Sequence, residues 1–135
     1  MKKSRFASTD KILIAGPCAA ESLEQLHSVA KSLSLYEGLI FRAGLWKPRT
    51  RPGAFEGVGE LGLKWLNEIK ETYGLKIATE VASPNHVEKC MDYAVDALWI
   101  GARTTTNPFS VEDIAQSLSK TDIPVFVKNP LNPDV

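Results

Sequence analysis

The stretch that decides the fold runs over residues 75–100: Leu75-Lys76-Ile77-Ala78-Thr79-Glu80, then Ser83-Pro84 opening a segment that carries Val87, Cys90 and Met91, then Ala97-Leu98-Trp99-Ile100. Two short apolar runs flank a segment with helical spacing, the sequence form of a parallel βαβ unit. Ser is a favoured N-cap and Pro is tolerated at the first helical position, so Ser83-Pro84 sets where the helix starts.

The alternation continues in both directions. Upstream, Lys11-Ile12-Leu13-Ile14-Ala15 reads as a buried first strand ended by Gly16-Pro17. Leu23, Leu26, Ala30 and Leu33 mark a helix within residues 21–35, and Gly38-Leu39-Ile40-Phe41-Arg42 is the second strand. A second helix is expected over 58–73, with Leu61, Trp65, Leu66 and Ile69 inward and Gly74 as its stop. Downstream, Ser110 is expected to cap a helix over 111–119, and residues 123–128 form a fifth strand. The loop between the second strand and second helix, residues 43–55, is longer than the two to six residues usual for such connections. It carries Lys47, and then Arg49 and Arg51 between Pro48 and Pro52.

Composition narrows the class. The chain has 135 residues, 44% hydrophobic, with 16 basic and 16 acidic side chains. Disorder needs low hydrophobicity with high net charge and is excluded. Nucleic-acid readers carry an excess of Lys and Arg, so the balanced charge and the scarcity of aromatic platforms beside Trp46 stand against an RNA or DNA patch. The longest apolar run is broken by Gly16 and Pro17, well short of the roughly 20 residues of a membrane span. Asp10 and Lys11 likewise stand against a secretory signal. Two cysteines, Cys18 and Cys90, make no disulfide framework and suit a reducing cytoplasm.

Chemistry gathers where strands end: Cys18, Arg42, Glu80, Arg103 and Lys128 follow the five strands in turn. Charged residues often follow buried strands simply because the chain returns to water. Five in a row instead fit a (β/α) barrel, whose active site lies at the carboxyl ends of its strands, better than an open sheet that binds only at a switch point. Arg42, Lys47, Arg49, Arg51, Arg103 and Lys128 hold six of the 16 cations; setting them and Glu80 aside leaves 10 basic against 15 acidic residues. A basic mouth on an acidic body suits a small polyanion, since guanidinium grips phosphate and carboxylate bidentately. Cys18 is a metal ligand, a nucleophile or a small hydrophobe on its own evidence. His27 and His86 read as surface or helix-flank residues, Cys90 as core, and Trp65 and Trp99 as packing.

Ile14-Ala15-Gly16-Pro17-Cys18 with Glu21-Ser22, Phe41-Arg42-Ala43-Gly44 leading to Lys47-Pro48-Arg49-Thr50, and Ile100-Gly101-Ala102-Arg103 together resemble 3-deoxy-D-arabino-heptulosonate 7-phosphate (DAHP) synthase. The resemblance runs from Lys11 to Lys128. A related family, 3-deoxy-D-manno-octulosonate 8-phosphate synthase, shares the Gly-Pro-Cys opening but usually carries Lys-Ala-Asn-Arg where Lys47 to Thr50 stand here. Trp46 replaces a common Phe or Tyr, and Asn129-Pro130 departs from the usual Gly or Arg-Gly.

The resemblance implies a transferase of the shikimate pathway, a metal-dependent condensation of phosphoenolpyruvate with erythrose 4-phosphate. Arg42, Lys47, Arg103 and Lys128 would hold phosphoenolpyruvate, and Pro48, Arg49 and Thr50 would receive the aldose phosphate. Glu80 would order a water, with Lys47 and Glu80 as the catalytic pair. Cys18 would be the first ligand of a divalent Mn, Fe, Co or Zn ion that polarises the aldehyde. The other implied ligands, a His, a Glu and an Asp, lie on later strands that this chain does not contain.

Residues 1–135 are therefore expected to be the N-terminal portion of a single TIM-barrel catalytic domain, about four and a half βα units. Residues 1–10 form an arm, and barrel strands 1–5 lie within 11–128. Eight strands in about 250 residues make a full barrel, so the chain alone is expected to be inactive. The parent would be a cytoplasmic homo-oligomer, dimer or tetramer, with no nucleic-acid or membrane partner. Alternatives are the N-terminal part of the octulosonate enzyme, or a non-catalytic α/β module that binds a phosphorylated ligand.

Overall fold

The computed structural model describes residues 11–47 and 51–130. Five parallel strands follow one another in sequence order: β1 (Ile14–Ala15), β2 (Ile40–Arg42), β3 (Lys76–Val81), β4 (Ala97–Ile100) and β5 (Val125–Val127). Between them run α1 (Leu23–Leu33), α2 (Glu60–Tyr73), α3 (Pro84–Asp92), the short α4 (Ala102–Thr105) and α5 (Pro108–Leu118). Unbroken order with a helical connection between each pair of consecutive strands is the winding of a (β/α) barrel, here a curled half-barrel.

The period of two along each strand divides the core. Phe41, Ile77, Val81, Leu98 and Ile100 face outward and pack with Leu26 and Ala30 of α1, Leu63, Leu66 and Ile69 of α2, Val87 and Cys90 of α3 and Ile114 of α5. Ile40, Ala78, Ala97 and Trp99 form a second, smaller cluster on the inner face, with Phe126 against it. Whatever continues this inner row past the strand ends opens at the mouth.

Local chemistry sets the helix starts. Ser22 Oγ accepts from Gln25 N at 3.1 Å, and Ser83 Oγ from His86 N at 3.3 Å, with Pro84 in the first turn of α3. Gly74 closes α2 in the left-handed conformation, donating its N–H to Lys70 O. The expected cap at Ser110 is corrected to Asn107, whose Oδ1 accepts from Phe109 N and Ser110 N at 3.1 and 3.2 Å. Asn is at least as good a cap as Ser, and Pro108 behind it occupies the position where a missing N–H costs nothing. The turn of α4 over Ala102–Thr105 carries no apolar periodicity that would mark it in the sequence.

Two further expectations are corrected. The first strand is not buried: it shortens to Ile14–Ala15, and Ile12, Leu13 and Ile14 are 41, 46 and 38% exposed, because β1 is an edge with a partner only on its β2 side. On α2, Leu61 is exposed and Leu63 takes the inward place. A Cβ at Gly62 would stand 2.4 Å from Leu45 Cδ2. The helix thus rests on its glycine side, which turns Leu61 outward and leaves Trp65 half-buried.

Candidate active site

Arg42, Glu80, Trp99 and Lys128 continue the inner row at the carboxyl ends of β2, β3, β4 and β5. Pairing along the sheet sets Arg42 beside Ala78 and Glu80 beside Trp99. Lys128 N donates to Ile100 O at 3.1 Å, carrying the β5 pairing one residue past the strand. Trp99 sits at the centre. Its Nε1–H donates to Glu80 Oε2 at 3.0 Å, Arg42 Cζ lies 4.5 Å above the ring centroid, and Lys128 Nζ lies 5.7 Å from it. Ile14, Arg42, Ala78, Trp99, Phe126 and Lys128 line a cavity of about 280 Å³, apolar at its floor and cationic at its rim. Trp99 does pack, as read from the sequence, within the inner cluster of Ile40, Ala78 and Ala97, and it also meets the charged groups of the mouth. The alternation along β4, with Ala97 and Trp99 on one side and Leu98 and Ile100 on the other, carried the signal that would have placed it inward.

Glu80 keeps its place through Gly101. A Cβ on Gly101 would lie 2.2 Å from Glu80 Oε1, so this glycine serves close approach and not an unusual backbone, its φ being −70°.

Cys18 and Lys47 form the second part of the mouth. Lys47 Nζ donates to the Cys18 carbonyl oxygen and stands 3.4 Å from Cys18 Sγ. The exposed Cys18 thiol is held below its ordinary value, first by the hydrogen bond and charge of Lys47 and then by the charges of Arg42 and Lys128. One electrostatic field thus covers all four side chains. Gly44 makes the reach possible: a Cβ there would fall 2.6 Å from both Lys47 Nζ and Cys18 O. Reciprocal backbone bonds, Gly44 N to Cys18 O and Ala20 N to Gly44 O, tie the β1–α1 loop to the end of β2.

Behind Lys47, Trp46 stacks on His86 with centroids 4.1 Å apart and planes 10° off parallel, and Ala82 N donates to His86 Nδ1 at 3.1 Å. His86 is therefore more than a helix-flank residue: it joins the loop of Lys47 to the end of β3. No spacing in the sequence announces that pair. His27 does behave as expected, bonding Tyr73 and Glu68 between α1 and α2. Arg103 is exposed on α4, just past β4. Pro48, Arg49 and Thr50 lie outside the described residues.

The resemblance implies a metal at Cys18. A lowered, exposed thiol suits one soft ligand. Among the described residues, however, no three His, Cys, Asp or Glu side chains group to hold an ion. Cys18 alone does not make a metal centre.

Fold and mouth together define a (β/α)-barrel protein whose strand ends gather cations around an indole and a carboxylate. The chain belongs to the DAHP synthetase I family, whose model matches residues 5–133. It is 40% identical over 116 residues to a phospho-2-dehydro-3-deoxyheptonate aldolase of Thermotoga maritima, covering 86% of this chain and 33% of that protein. A crystal structure of a DAHP synthase from the same organism superposes with a TM-score of 0.75 at 35% identity, over 88% of this chain and 34% of that one. A 2-dehydro-3-deoxyphosphooctonate aldolase of Helicobacter pylori strain P12 is 36% identical over 135 residues, 95% of this chain and 47% of that protein. The chain thus spans about a third of the length of the Thermotoga relative and about half of the Helicobacter one.

Proposed function

We propose that this chain carries the phosphoenolpyruvate-binding part of a 3-deoxy-D-arabino-heptulosonate 7-phosphate synthase site. The observation that supports it is the convergence of Arg42, Lys128 and Glu80 on Trp99 over a small cavity, with Lys47 in the same field. Phosphoenolpyruvate brings a phosphate and a carboxylate to a short unsaturated carbon unit, which matches a cationic rim above an apolar floor. Arg42, Lys47, Lys128 and, from α4, Arg103 neutralise the two anionic groups. Preplaced cations stabilise changing charge without reorganising during the reaction.

In the proposed reaction the enol carbon of phosphoenolpyruvate forms a bond to the aldehyde carbon of erythrose 4-phosphate. Positive charge develops at the carbon bearing the phosphate ester. A water oriented by Glu80 adds there and its proton passes to the oxygen of the former aldehyde. The resulting hemiketal phosphate then expels inorganic phosphate, which leaves with the hemiketal hydroxyl proton, to give the ketone. Pro48, Arg49 and Thr50 receive the aldose phosphate. The pathway placement, a divalent metal with Cys18 as one ligand, a homo-oligomeric whole enzyme and a cytoplasmic location belong to the same proposal. So does the chain as the N-terminal portion of one catalytic domain, inactive by itself.

Calorimetric titration with phosphoenolpyruvate tests the binding part. Weak binding is expected, weakened further by Arg42→Ala and Lys128→Ala; an absence of binding by the unsubstituted chain sinks the proposal. A phosphate-release assay with both substrates and manganese tests the rest, and robust turnover dependent on Cys18 would overturn the inactivity of the chain alone. The Helicobacter relative's name keeps the octulosonate reaction as a second reading. A preference of the completed enzyme for arabinose 5-phosphate over erythrose 4-phosphate would favour it.

A further inference from the structure

Arg42 and Glu80 stand on neighbouring strands, on the same inner face, with opposite charges. Left to themselves, a guanidinium and a carboxylate so placed close into a forked ion pair that consumes the donors of one and the acceptors of the other. Trp99 engages both. Its N–H, which lies in the ring plane, takes Glu80 Oε2 at 3.0 Å, while Arg42 lies over the ring with Cζ 4.5 Å from the centroid. A guanidinium held on an aromatic face is stabilised without spending its N–H groups, because the ring offers a quadrupole and not a lone pair. Lys128 approaches the same ring from β5, on the other side of β4 in the sheet order, at 5.7 Å. Gly101 adds to the arrangement by leaving no atom in the space that the Glu80 carboxylate fills.

We propose that Trp99 is a positioning residue of the phosphoenolpyruvate site, one that keeps Arg42 and Glu80 from neutralising each other and so leaves the Arg42 donors free for the ligand. This rests on the functional reading above and goes beyond it, since it assigns the readiness of the cationic rim to an indole edge and face. Packing alone would not select these partners. A buried indole N–H needs an acceptor, and here it takes the carboxylate of the mouth.

Trp99→Phe separates the two roles of the ring, since it keeps the aromatic face and removes the N–H that occupies Glu80. Phosphoenolpyruvate affinity, measured by calorimetry on the 135-residue chain, is expected to fall about tenfold in Trp99→Phe as Glu80 turns to Arg42. Removing the competing charge restores it: Trp99→Phe combined with Glu80→Gln is expected to bind within about threefold of the unsubstituted chain, a coupling that a double-mutant cycle reads directly. A ring that served only to fill space would weaken binding equally with Glu or Gln at position 80. Equal weakening, or undiminished binding by Trp99→Phe, overturns the inference while leaving the functional reading in place. Absence of binding by the unsubstituted chain removes the functional reading, and this inference with it. Thermal melts followed by circular dichroism on each variant confirm that the compared chains are folded, and Trp99→Tyr supplies the same comparison if Trp99→Phe is not.

Discussion

Glu80 and Trp99 are direct neighbours in the parallel register of β3 and β4, and the indole N–H of one donates to the carboxylate of the other at 3.0 Å. The pair is set by strand geometry: both side chains leave the same face at the same level. Gly101 sits one residue past β4 and within van der Waals reach of the same carboxylate.

Gly101→Ala is therefore expected to act on the site and only modestly on the backbone. Its φ of −70° is open to alanine, but the new methyl would lie 2.2 Å from Glu80 Oε1 and displace the carboxylate from Trp99. A loss of about 1–3 kcal/mol in stability accompanies such overpacking. Phosphoenolpyruvate titration and a urea melt of the same variant check both parts. A fully stable variant with unchanged binding would show that Glu80 is not held by this contact.

Cys18 and Cys90 offer an internally controlled test. Lys47 and the neighbouring cations favour the Cys18 thiolate, whereas burial pushes Cys90 up to about 12. At pH near 7.5, iodoacetamide is expected to label Cys18 and spare Cys90 in the folded chain, because only the thiolate attacks. Lys47→Met removes the first cause of the shift, so the pH at which Cys18 labelling reaches half its maximum should move upward. Peptide mass spectrometry across a pH series reads that midpoint, and an unmoved midpoint would rule out Lys47 as the cause.

The sequence made the barrel legible where two signals agreed. At β4 and α3, apolar runs and the Ser83-Pro84 start reinforced each other, and the elements stand where expected. At α5 two cap candidates competed, and the stronger combination, Asn107 followed by Pro108, prevailed over Ser110. At β1 the apolar run promised burial, but burial depends on what lies beyond the edge, which the run does not encode. Strand ends gave Cys18, Arg42, Glu80 and Lys128 because each is a local event. Trp99, Gly101 and the Trp46–His86 stack depend on which residues meet across strands, a matter of register and loop path that spacing along one chain does not carry.

The Trp46–His86 stack gives stability a pH dependence. Burial, with the charge of Lys89 second, holds His86 below its ordinary imidazole value of about 6.5. As pH falls, the unfolded chain takes up this proton before the native one does, so stability is full above about 6.5 and declines below it, levelling off once the native imidazole is also protonated. Protonation puts a hydrogen on Nδ1, where Ala82 N–H now donates, and a cation–indole attraction to Trp46 only partly offsets that loss. The melting temperature is expected to drop between pH 7.5 and 5.5, with a shallower drop in His86→Gln. Equal slopes in the two chains would remove His86 from the account.

The opposite end of the sheet predicts a separation of stability from binding. Asp96 N donates to Ile77 O at 3.0 Å while Ile77 N donates back to Asp96 Oδ2 at 2.9 Å, and Lys70 Nζ bridges Asp96 and Ala94 O. This clamp fixes the start of β3, at the amino-terminal face, where barrels place stability and not chemistry. Asp96→Ala leaves the Ile77 N–H without its acceptor and Lys70 without its counter-ion, and is expected to cost about 2–3 kcal/mol. Asp96→Asn keeps an acceptor within reach and should cost less, about 1 kcal/mol. Urea unfolding measures both. At a temperature where the variants remain folded, their phosphoenolpyruvate affinity should match that of the unsubstituted chain, because the clamp and Glu80 lie near opposite ends of the same strand. A parallel loss of affinity would mean that β3 transmits disorder along its length and that the two faces are not independent.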